Sequence, residues 1–341
     1  MRFLTAVLHG QIDDNRLGEP ILLPQDALSQ LLLLHPVRTE LDTRCRFNAP
    51  WRMAHPVAPS HVAPYHLVVE GTAMVDIDGH DTLALQPGDM LVFPRGHAHL
   101  LYTPDSDDRT PMYTMYRETP VVRLTNEAAG PATDILCGQF HFDPAGSRTL
   151  VDALPDIVLV CTADRTDFVG LQALVKLLRD ETNEPRPGAS AVVSHLASAL
   201  LLMLLRAWLE QAHAVPGLFS LLADPKLNRA LHEMLAEPGK AWTLEQLAQV
   251  CGMSRATFVR TFRAVAGTTP AELLLSIRMT QAAQWLNRTH RSIGDISEGV
   301  GYQSEAAFNR AFKRRYGIGP GLYRRGRNED HSPLPPPQDE A

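Results

Sequence analysis

The stretch "SIGDISEGVGYQSEAAFNRAFKRRYGIGP", Ser292 to Pro320, sets the reading of the C-terminal third of the chain. It restates an earlier stretch, "WTLEQLAQVCGMSRATFVRTFRAVAGTTP", Trp242 to Pro270. Leu244, Leu247 and Gly252 return as Ile293, Ile296 and Gly301 at an offset of 49. Ser254, Phe258, Phe262, Gly267 and Pro270 return as Ser304, Phe308, Phe312, Gly317 and Pro320 at an offset of 50, one residue being inserted at Tyr302–Gln303. Each copy predicts a short helix with apolar residues at i and i+3. A Gly ends it, because a left-handed C-cap costs Gly little. Ser254 or Ser304 then caps a second helix by accepting an orphan backbone N–H. Two phenylalanines at i and i+4 pin that second helix to a core. This is the syntax of a helix-turn-helix, written twice.

The second helix of each copy leaves a polar side for a DNA major groove. It carries Arg255, Thr257, Val259 and Arg260 in the first copy, and Glu305, Ala306, Asn309, Arg310 and Lys313 in the second. Arg is the usual bidentate reader of guanine and Asn of adenine. Lys313, Arg314, Arg315, Arg324, Arg325 and Arg327 supply charge for phosphates. The bland alternative is a solvated helix face, which a repeated motif with matching caps disfavours. Between the copies, "PAELLLSIRMTQAAQWLN" (Pro270–Asn287) predicts a helix with Pro at its start. Such a connector can set two recognition helices in successive grooves, about 34 Å apart.

The charge distribution agrees. The whole chain of 341 residues carries a formal charge of -6. Residues 218–327 nevertheless hold 16 Lys+Arg against 8 Asp+Glu, while residues 1–217 hold 16 against 26. A basic module attached to an acidic one excludes a general nucleic-acid coat protein and fits a polyanion-binding unit joined to something else.

On these motifs, residues 225–325 resemble the DNA-binding domain of AraC/XylS-type bacterial transcription regulators. The resemblance implies one asymmetric DNA site read by two helices. It carries base contacts onto Ala256, Arg260, Ala306 and Arg310, with Arg255, Thr257, Glu305 and Asn309 as neighbours. Ser297 and Gly299 stand where that family has better helix formers, which predicts a softer first helix in the second copy.

From Thr39 to Phe142 the pattern differs. Short apolar runs ("YHLVVEG", "TAMVDIDG", "DTLALQPGD", "MLVFPRG", "PMYTMYR") alternate with Pro, Gly and Asp, predicting an all-β sandwich or barrel. Ahead of it, "DALSQLLLLHPV" reads as a short helix closed by Pro36, and residues 1–23 as a loose leader without a signal peptide. From Phe168 the period is helical. In "PGASAVVSHLASALLLMLLRAWLEQ", Val192, Leu196, Leu200, Met203 and Ala207 form one apolar stripe, and Val193, Ala197, Leu201, Leu204 and Trp208 a second. One stripe fits against the barrel and the other fits a dimer seam. "AVPG" (Ala214–Gly217) reads as a hinge, and "HSPLPPPQDEA" as a disordered tail. The chain therefore divides into a leader (1–23), a sensor domain (24–165), a helical linker (166–216), a double helix-turn-helix (217–327) and a tail (328–341). The expected class is α+β multidomain: a cupin-like β-barrel, a helical dimerisation segment and an all-α DNA-binding domain.

Within the barrel, "PGDMLVFPRGHAH" resembles the second cupin motif at Gly88, Asp89, Pro94, Gly96 and His99. "YHLVVEGTAMVDIDG" resembles the first, with Gly71 at a hairpin turn. The resemblance breaks at the metal ligands. Pro64 stands where cupins place a Glu, and no His-x-His pair precedes it. The candidate ligands reduce to His61, His66 and His99, with His97 as an outsider. His66 and Glu70 share a strand face by period two. Three readings stay open: histidines hydrogen-bonded in a barrel mouth, a structural or regulatory zinc, and a catalytic iron site.

Four cysteines lie apart, Cys45, Cys137, Cys161 and Cys251, with no CxxC pair, which argues against a cysteine zinc site. Among regulators of this cupin-bearing subgroup, the chain is similar to those that respond to reactive chlorine species. Their N-terminal domains carry cysteines in segments matching "TELDTRCRFNAPW" and "TDILCGQFHF". Cys45 and Cys137 occupy those places and are the candidate regulatory residues. Arg44 or Arg46, if near the sulfur, would favour a reactive thiolate. Cys161 and Cys251 read as small buried hydrophobes.

The expected function is a cytoplasmic, non-enzymatic transcriptional activator that senses oxidant at Cys45 and Cys137. The alternatives are a regulator binding a small ligand or metal around His66 and His99, and a cupin metalloenzyme fused to a DNA-binding module. Promoter DNA, a second copy of the chain and RNA polymerase are the partners this organisation implies.

Overall fold

The computed structural model describes residues 26–106, 113–117, 120–143, 148–162, 168–184, 186–211 and 217–330. The expected leader, Ala214 to Pro216 of the hinge, and the tail beyond Asp330 lie outside the described residues. Helix α1 (Ala27–Leu34) is capped by Asp26, whose carboxylate accepts from the Ser29 N–H at 3.0 Å.

The strands follow as β1 (Val37–Asn48), β2 (Arg52–His55), β3 (Val62–Glu70), β4 (Ala73–Ile77), β5 (Leu83–Leu85), β6 (Met90–Val92), β7 (His99–Tyr102), β8 (Thr114–Tyr116), β9 (Val122–Thr125) and β10 (Ala132–Phe142). Helix α2 (Arg148–Asp152) and strand β11 (Val158–Val160) complete the unit. Seven strands form one sheet in the order β11-β6-β3-β10-β1-β9-β8, and four form the other in the order β2-β7-β4-β5. Side chains alternate across a strand, so the long strands of the larger sheet feed two cores. Cys45, Phe47, Val68, Leu91, Ile135 and Cys137 face the four-stranded sheet and fill the barrel. Leu41, Tyr65, Leu67, Leu136 and Phe140 face the other way, toward helices.

Those helices are α3 (Val169–Glu181) and α4 (Ala189–Gln211). The stripe Val193, Ala197, Leu201, Leu204 and Trp208 is buried throughout. The first stripe is divided: Leu200 and Ala207 are buried, while Val192 is 43% exposed. Helix α4 is long and apolar enough to cross a membrane by composition, but its buried stripe packs on α3, β1 and β11. The Thr39 and Ser198 hydroxyls meet at 2.8 Å across the β1–α4 junction.

The C-terminal unit comprises α5 (Leu218–Ala223), α6 (Leu227–Ala236), α7 (Leu244–Val250), α8 (Arg255–Ala266), α9 (Pro270–Arg288), α10 (Ile293–Gly299), α11 (Glu305–Tyr316) and α12 (Pro320–Asp330). Helix α12 thus runs three residues past the expected boundary at 327. Phe258, Phe262, Phe308 and Phe312 are wholly buried, the last two in a separate core under α9 and α10. Helix α1 packs on α6 and α9, and the Gln284 carboxamide donates to the carbonyls of Leu33 (2.9 Å) and Leu34 (2.6 Å). The sensor end of the chain is thereby fastened to the connector between the two helix-turn-helix units.

Candidate nucleic-acid interface and sensor site

Both helix-turn-helix copies have the expected caps. Gly252 and Gly301 take left-handed backbone at φ 64° and 85°. The Ser254 hydroxyl accepts from Thr257 N at 3.2 Å, and the Ser304 hydroxyl from Ala307 N at 3.3 Å. Capping boxes at Thr243–Gln246 and Ser292–Asp295 start the first helix of each copy. The 19-residue connector α9 spans roughly 28 Å at 1.5 Å per residue. That length suits two recognition helices one helical turn of DNA apart.

Ala256, Arg260, Glu305, Ala306, Arg310 and Lys313 are exposed. Among the described residues, Arg260 and Arg310 are held in no ion pair. Three neighbours are engaged locally. Arg255 Nε pairs with Glu245 Oε1 at 2.8 Å, the Ser254 hydroxyl donates to Thr257 Oγ1 at 2.9 Å, and the Asn309 amide donates to the Glu305 carbonyl at 2.9 Å. Of the phosphate candidates, Lys313, Arg314, Arg315 and Arg325 are exposed. Arg324 instead donates to the Arg291 carbonyl at 2.6 Å, tying α12 to the start of α10.

The departure from better helix formers in α10 has a packing reason at Gly299. A Cβ on Gly299 would lie 2.7 Å from the Trp285 ring, so Gly is what admits that ring. Ser297 is buried, and among the described residues its hydroxyl has no partner.

Inside the barrel, His66 from β3 and His99 from β7 come together. The third member of the group is His55 from β2, and His61 stands outside it. His61 precedes β3, five residues and about 17 Å of strand from His66. His55 is directly opposite His99 in the β2–β7 ladder. The sequence signal for it is period two from Met53, which packs on the barrel core. Glu70 also leaves the group. Asp134 pairs with Glu70 and Ile135 with Val68, so Val69 forms a bulge that reverses the alternation. Glu70 turns outward and meets Arg179 Nη2 at 3.4 Å.

The hydrogen bonds assign the tautomers. His99 Nδ1 lies 2.8 Å from the His97 carbonyl, which only accepts, so Nδ1 carries the proton. Burial pushes the His99 pKa down to about 4 and that of His66 well below its ordinary value, so both rings are neutral at pH 7. His99 Nε2 therefore accepts, at 2.7 Å, from His66 Nε2–H. His66 Nδ1 in turn accepts from the Cys137 thiol at 3.1 Å. The neighbouring Cys45 side chain, followed by desolvation, raises the Cys137 pKa well above the usual thiol value. His55 stacks on His99 at 4.7 Å, and desolvation followed by the field of His99 lowers its pKa to about 4. His55 Nε2 is buried and, among the described residues, has no partner. Phe93 covers the other face of His99 at 3.8 Å.

The condition set for Arg44, a place near the Cys45 sulfur, is not met. Arg44 points to the opposite face of β1, where it binds Asp134 and donates to the Arg179 carbonyl, Thr182 Oγ1 and Asn183 Oδ1 at the end of α3. Cys161 is exposed rather than buried, because it follows the last residue of β11. Its backbone N–H and carbonyl are bound instead by the Gln211 carboxamide. Cys251 is buried, as expected.

Comparison with known proteins accounts for both halves. Residues 26–210 match the family described as Cupin, and residues 247–326 match the family described as Helix-turn-helix domain. The RCS-specific HTH-type transcriptional activator RclR of Escherichia coli (strain K12) is 30% identical over 300 residues, covering 88% of this chain and 97% of that protein. A protein described as an AraC-like transcription regulator in Streptomyces lividans is 32% identical over 310 residues, covering 88% of this chain and 98% of its own length. The HTH-type transcriptional regulator MtrA of Neisseria gonorrhoeae is 29% identical over 303 residues, covering 88% and 98%. A cupin barrel fastened to a doubled helix-turn-helix thus matches these regulators over most of their length, and the chain belongs to the AraC-family transcriptional regulators that carry an N-terminal cupin domain.

Proposed function

We propose that the chain is a cytoplasmic, non-enzymatic activator that binds promoter DNA through α8 and α11 and responds to a two-electron oxidant at Cys45 and Cys137. The observation that carries the sensing part is the placing of both cysteines on the inner face of adjacent strands, in one barrel core and diagonal across the β1–β10 ladder. A relative described as RCS-specific gives the oxidant class, reactive chlorine.

The chemistry balances with hypochlorous acid. It converts Cys137, the less deeply buried thiol, to a sulfenyl chloride and releases water. The Cys45 thiol then attacks that sulfur, forming the S–S bond and releasing chloride and a proton.

The register supplies a reason for a structural response. Cys137 is opposite Thr43, and Cys45 is opposite Ile135, so the two cysteines are diagonal neighbours on adjacent strands. Diagonal pairs stand about 7–8 Å apart, beyond the 4.4–6.8 Å between Cα atoms that a disulfide takes. Closing the bond therefore shears β1 against β10. The Asp42 bulge beside Cys137 gives β1 room to move. Arg44, adjacent to Cys45, carries the shift to the end of α3 and the linker.

The exposed part of α3 and α4, with Val169, Leu177, Val192 and Leu202 at its surface, fits the dimer seam. RNA polymerase is the partner through which an activator acts. The metalloenzyme alternative is disfavoured because the histidine group contains no carboxylate among the described residues.

The test selects binding sites from a random DNA library with the full chain, then measures affinity for the selected site with and without a stoichiometric hypochlorous acid treatment. Selection of one asymmetric site with two recognised segments is expected. Selection of no sequence overturns the DNA-reading part. An oxidant response retained in a Cys45→Ser/Cys137→Ser chain overturns the sensing part.

A further inference from the structure

We infer that Arg278 is a specificity-determining residue for DNA, although it lies on neither recognition helix. With a glycine seam beside it, Arg278 clamps the two helix-turn-helix units in one fixed pose and so sets the spacing of the two DNA segments that the chain accepts. The inference rests on the reading of α8 and α11 as the recognition helices.

The two units have separate cores. Phe258 and Phe262 belong to the large core that continues into the linker, and Phe308 and Phe312 belong to their own. Helix α9 serves both: Leu273, Leu274 and Ile277 enter the first core, and Met279, Ala282, Ala283 and Leu286 the second. Arg278 stands between these two sets. A shared helix alone leaves the rotation of one unit about its axis to side-chain packing. A second joint away from that axis fixes the rotation.

That joint is present. The loop between α6 and α7 belongs to the first unit and meets the turn of the second unit backbone to backbone. A Cβ on Gly239 would lie 2.4 Å from the Gly299 carbonyl oxygen, and a Cβ on Gly301 would lie 2.4 Å from the Gly239 carbonyl oxygen. Arg278 bridges the loop to α9: its Nε donates to the Pro238 carbonyl at 2.7 Å and its Nη2 to the Lys240 carbonyl at 2.8 Å. The loop is itself braced. The Trp242 indole donates to the Glu237 carbonyl at 3.1 Å, and Lys240 lies over the Trp242 ring at 3.9 Å while pairing with Glu237 at 2.8 Å.

The two copies differ where the seam requires it. Gly252, the counterpart of Gly301, would have nothing within 4 Å of a Cβ, so its left-handed backbone alone accounts for it. Gly301 has the same backbone need and also a steric one. Gly299 stands where the first copy has Val250. The inserted Tyr302 meets the Phe308 ring edge-on at 5.7 Å, which seats the second turn on its core.

The first experiment measures the affinity of the full chain for its selected DNA site and for versions with one base pair added or removed between the two segments. One base pair turns the second segment by about 35°. The parent should therefore lose about tenfold or more in affinity for either altered spacing. Arg278→Met keeps the aliphatic stem without the donors and should shrink that penalty severalfold, with Arg278→Lys falling between. Arg310→Ala should instead weaken every spacing alike, which separates loss of a groove contact from loss of the clamp. A parent indifferent to spacing, or a penalty unchanged in Arg278→Met, overturns the clamp.

The second experiment needs no DNA. Nitroxide labels on Ala264→Cys and Lys313→Cys, in a chain carrying Cys161→Ser, report the distance between α8 and α11. One narrow distance is expected, broadening when Arg278→Met is added. Equal widths overturn the clamp whether or not these helices read DNA. Even if Arg278→Met fails to fold, a broad distance with Arg278 in place overturns the fixed pose, and Arg278→Lys tests the residue.

Discussion

Arg44 Nη2 and Asp134 Oδ2 stand 2.5 Å apart on the outer face of the two strands whose inner face carries Cys45 and Cys137. The pair is nearly wholly buried, and the guanidinium also binds the C-terminal turn of α3. That position is favourable for a cation, because the carbonyl end of a helix is negative. One strand residue thus reports to the linker helices while its neighbour lines the barrel.

Breaking this pair leaves an uncompensated buried charge. Asp134→Leu or Arg44→Met should each destabilise the barrel by about 3–5 kcal/mol. The double variant Arg44→Met/Asp134→Leu should recover a large part of that loss, since no lone charge remains. Denaturant unfolding of the four chains, followed by tryptophan fluorescence, measures the cycle. Equal losses in single and double variants would show that the α3 contacts, not the ion pair, set the cost.

The two thiols provide a second expectation. Cys45→Ser and Cys137→Ser should each abolish the change in DNA affinity on treatment with hypochlorous acid, and leave affinity under reducing conditions within about twofold of the parent. Electrophoretic mobility of the selected DNA site measures both. Cys161 is the exposed thiol and serves as the control, its replacement by Ser leaving the response intact.

On the DNA side, Arg260→Ala and Arg310→Ala should each weaken specific binding by about 1–3 kcal/mol and relax preference at one base step. Lys313→Ala should weaken binding evenly across sequences and reduce the salt slope by about one. Footprints that are unchanged in both arginine variants would move the reading surface off α8 and α11.

The doubled helix-turn-helix was legible because its signals are local and occur twice. A Ser three residues before its N–H partner, a Gly at a left-handed cap and two Phe at i and i+4 all sit within one stretch of chain. The barrel was legible only in its short, apolar strands. Its two longest strands, "VRTELDTRCRFN" and "ATDILCGQFHF", carry charges that obscure the alternation. Arg44 and Asp134 are buried against each other, a pairing no window along the chain reveals. His55 was missed for the same reason. It meets His99 through strand pairing, and His66 through the meeting of two sheets. Glu70 misled because a one-residue bulge reverses a strand's faces without leaving a mark in composition.

The buried histidines give the fold a pH dependence. The folded chain keeps His55 and His99 neutral down to about pH 4, whereas an unfolded histidine takes its proton near 6.5. Between those values the unfolded state holds more protons, so stability falls as the pH falls. Their contribution is complete above about pH 6.5 and drains by up to about 1.4 kcal/mol per pH unit for each ring through the window. Thermal melts between pH 7.5 and 4.5 should show a steep decline in the parent and a shallower one in His55→Gln. Parallel curves would mean that His55 gains its proton without unfolding the barrel.

Two substitutions in α10, two residues apart, should act in opposite directions. By helix propensity alone both favour Ala, Gly being about 0.8–1.0 kcal/mol worse and Ser worse by a few tenths. Packing separates them. An Ala at 299 would put Cβ 2.7 Å from the ring of Trp285 on α9, over which the Arg291 guanidinium stacks at 4.6 Å. The resulting overpacking, about 1–3 kcal/mol, exceeds the propensity gain, so Gly299→Ala destabilises. Ser297 buries a hydroxyl without a partner among the described residues, and Ala removes that penalty while improving the helix. Ser297→Ala should therefore stabilise the second helix-turn-helix by about 1 kcal/mol. Amide hydrogen exchange across residues 293–316 reads both changes, with slower exchange expected for Ser297→Ala and faster for Gly299→Ala. The same sign for both would mean that propensity, not the Trp285 contact, governs this helix.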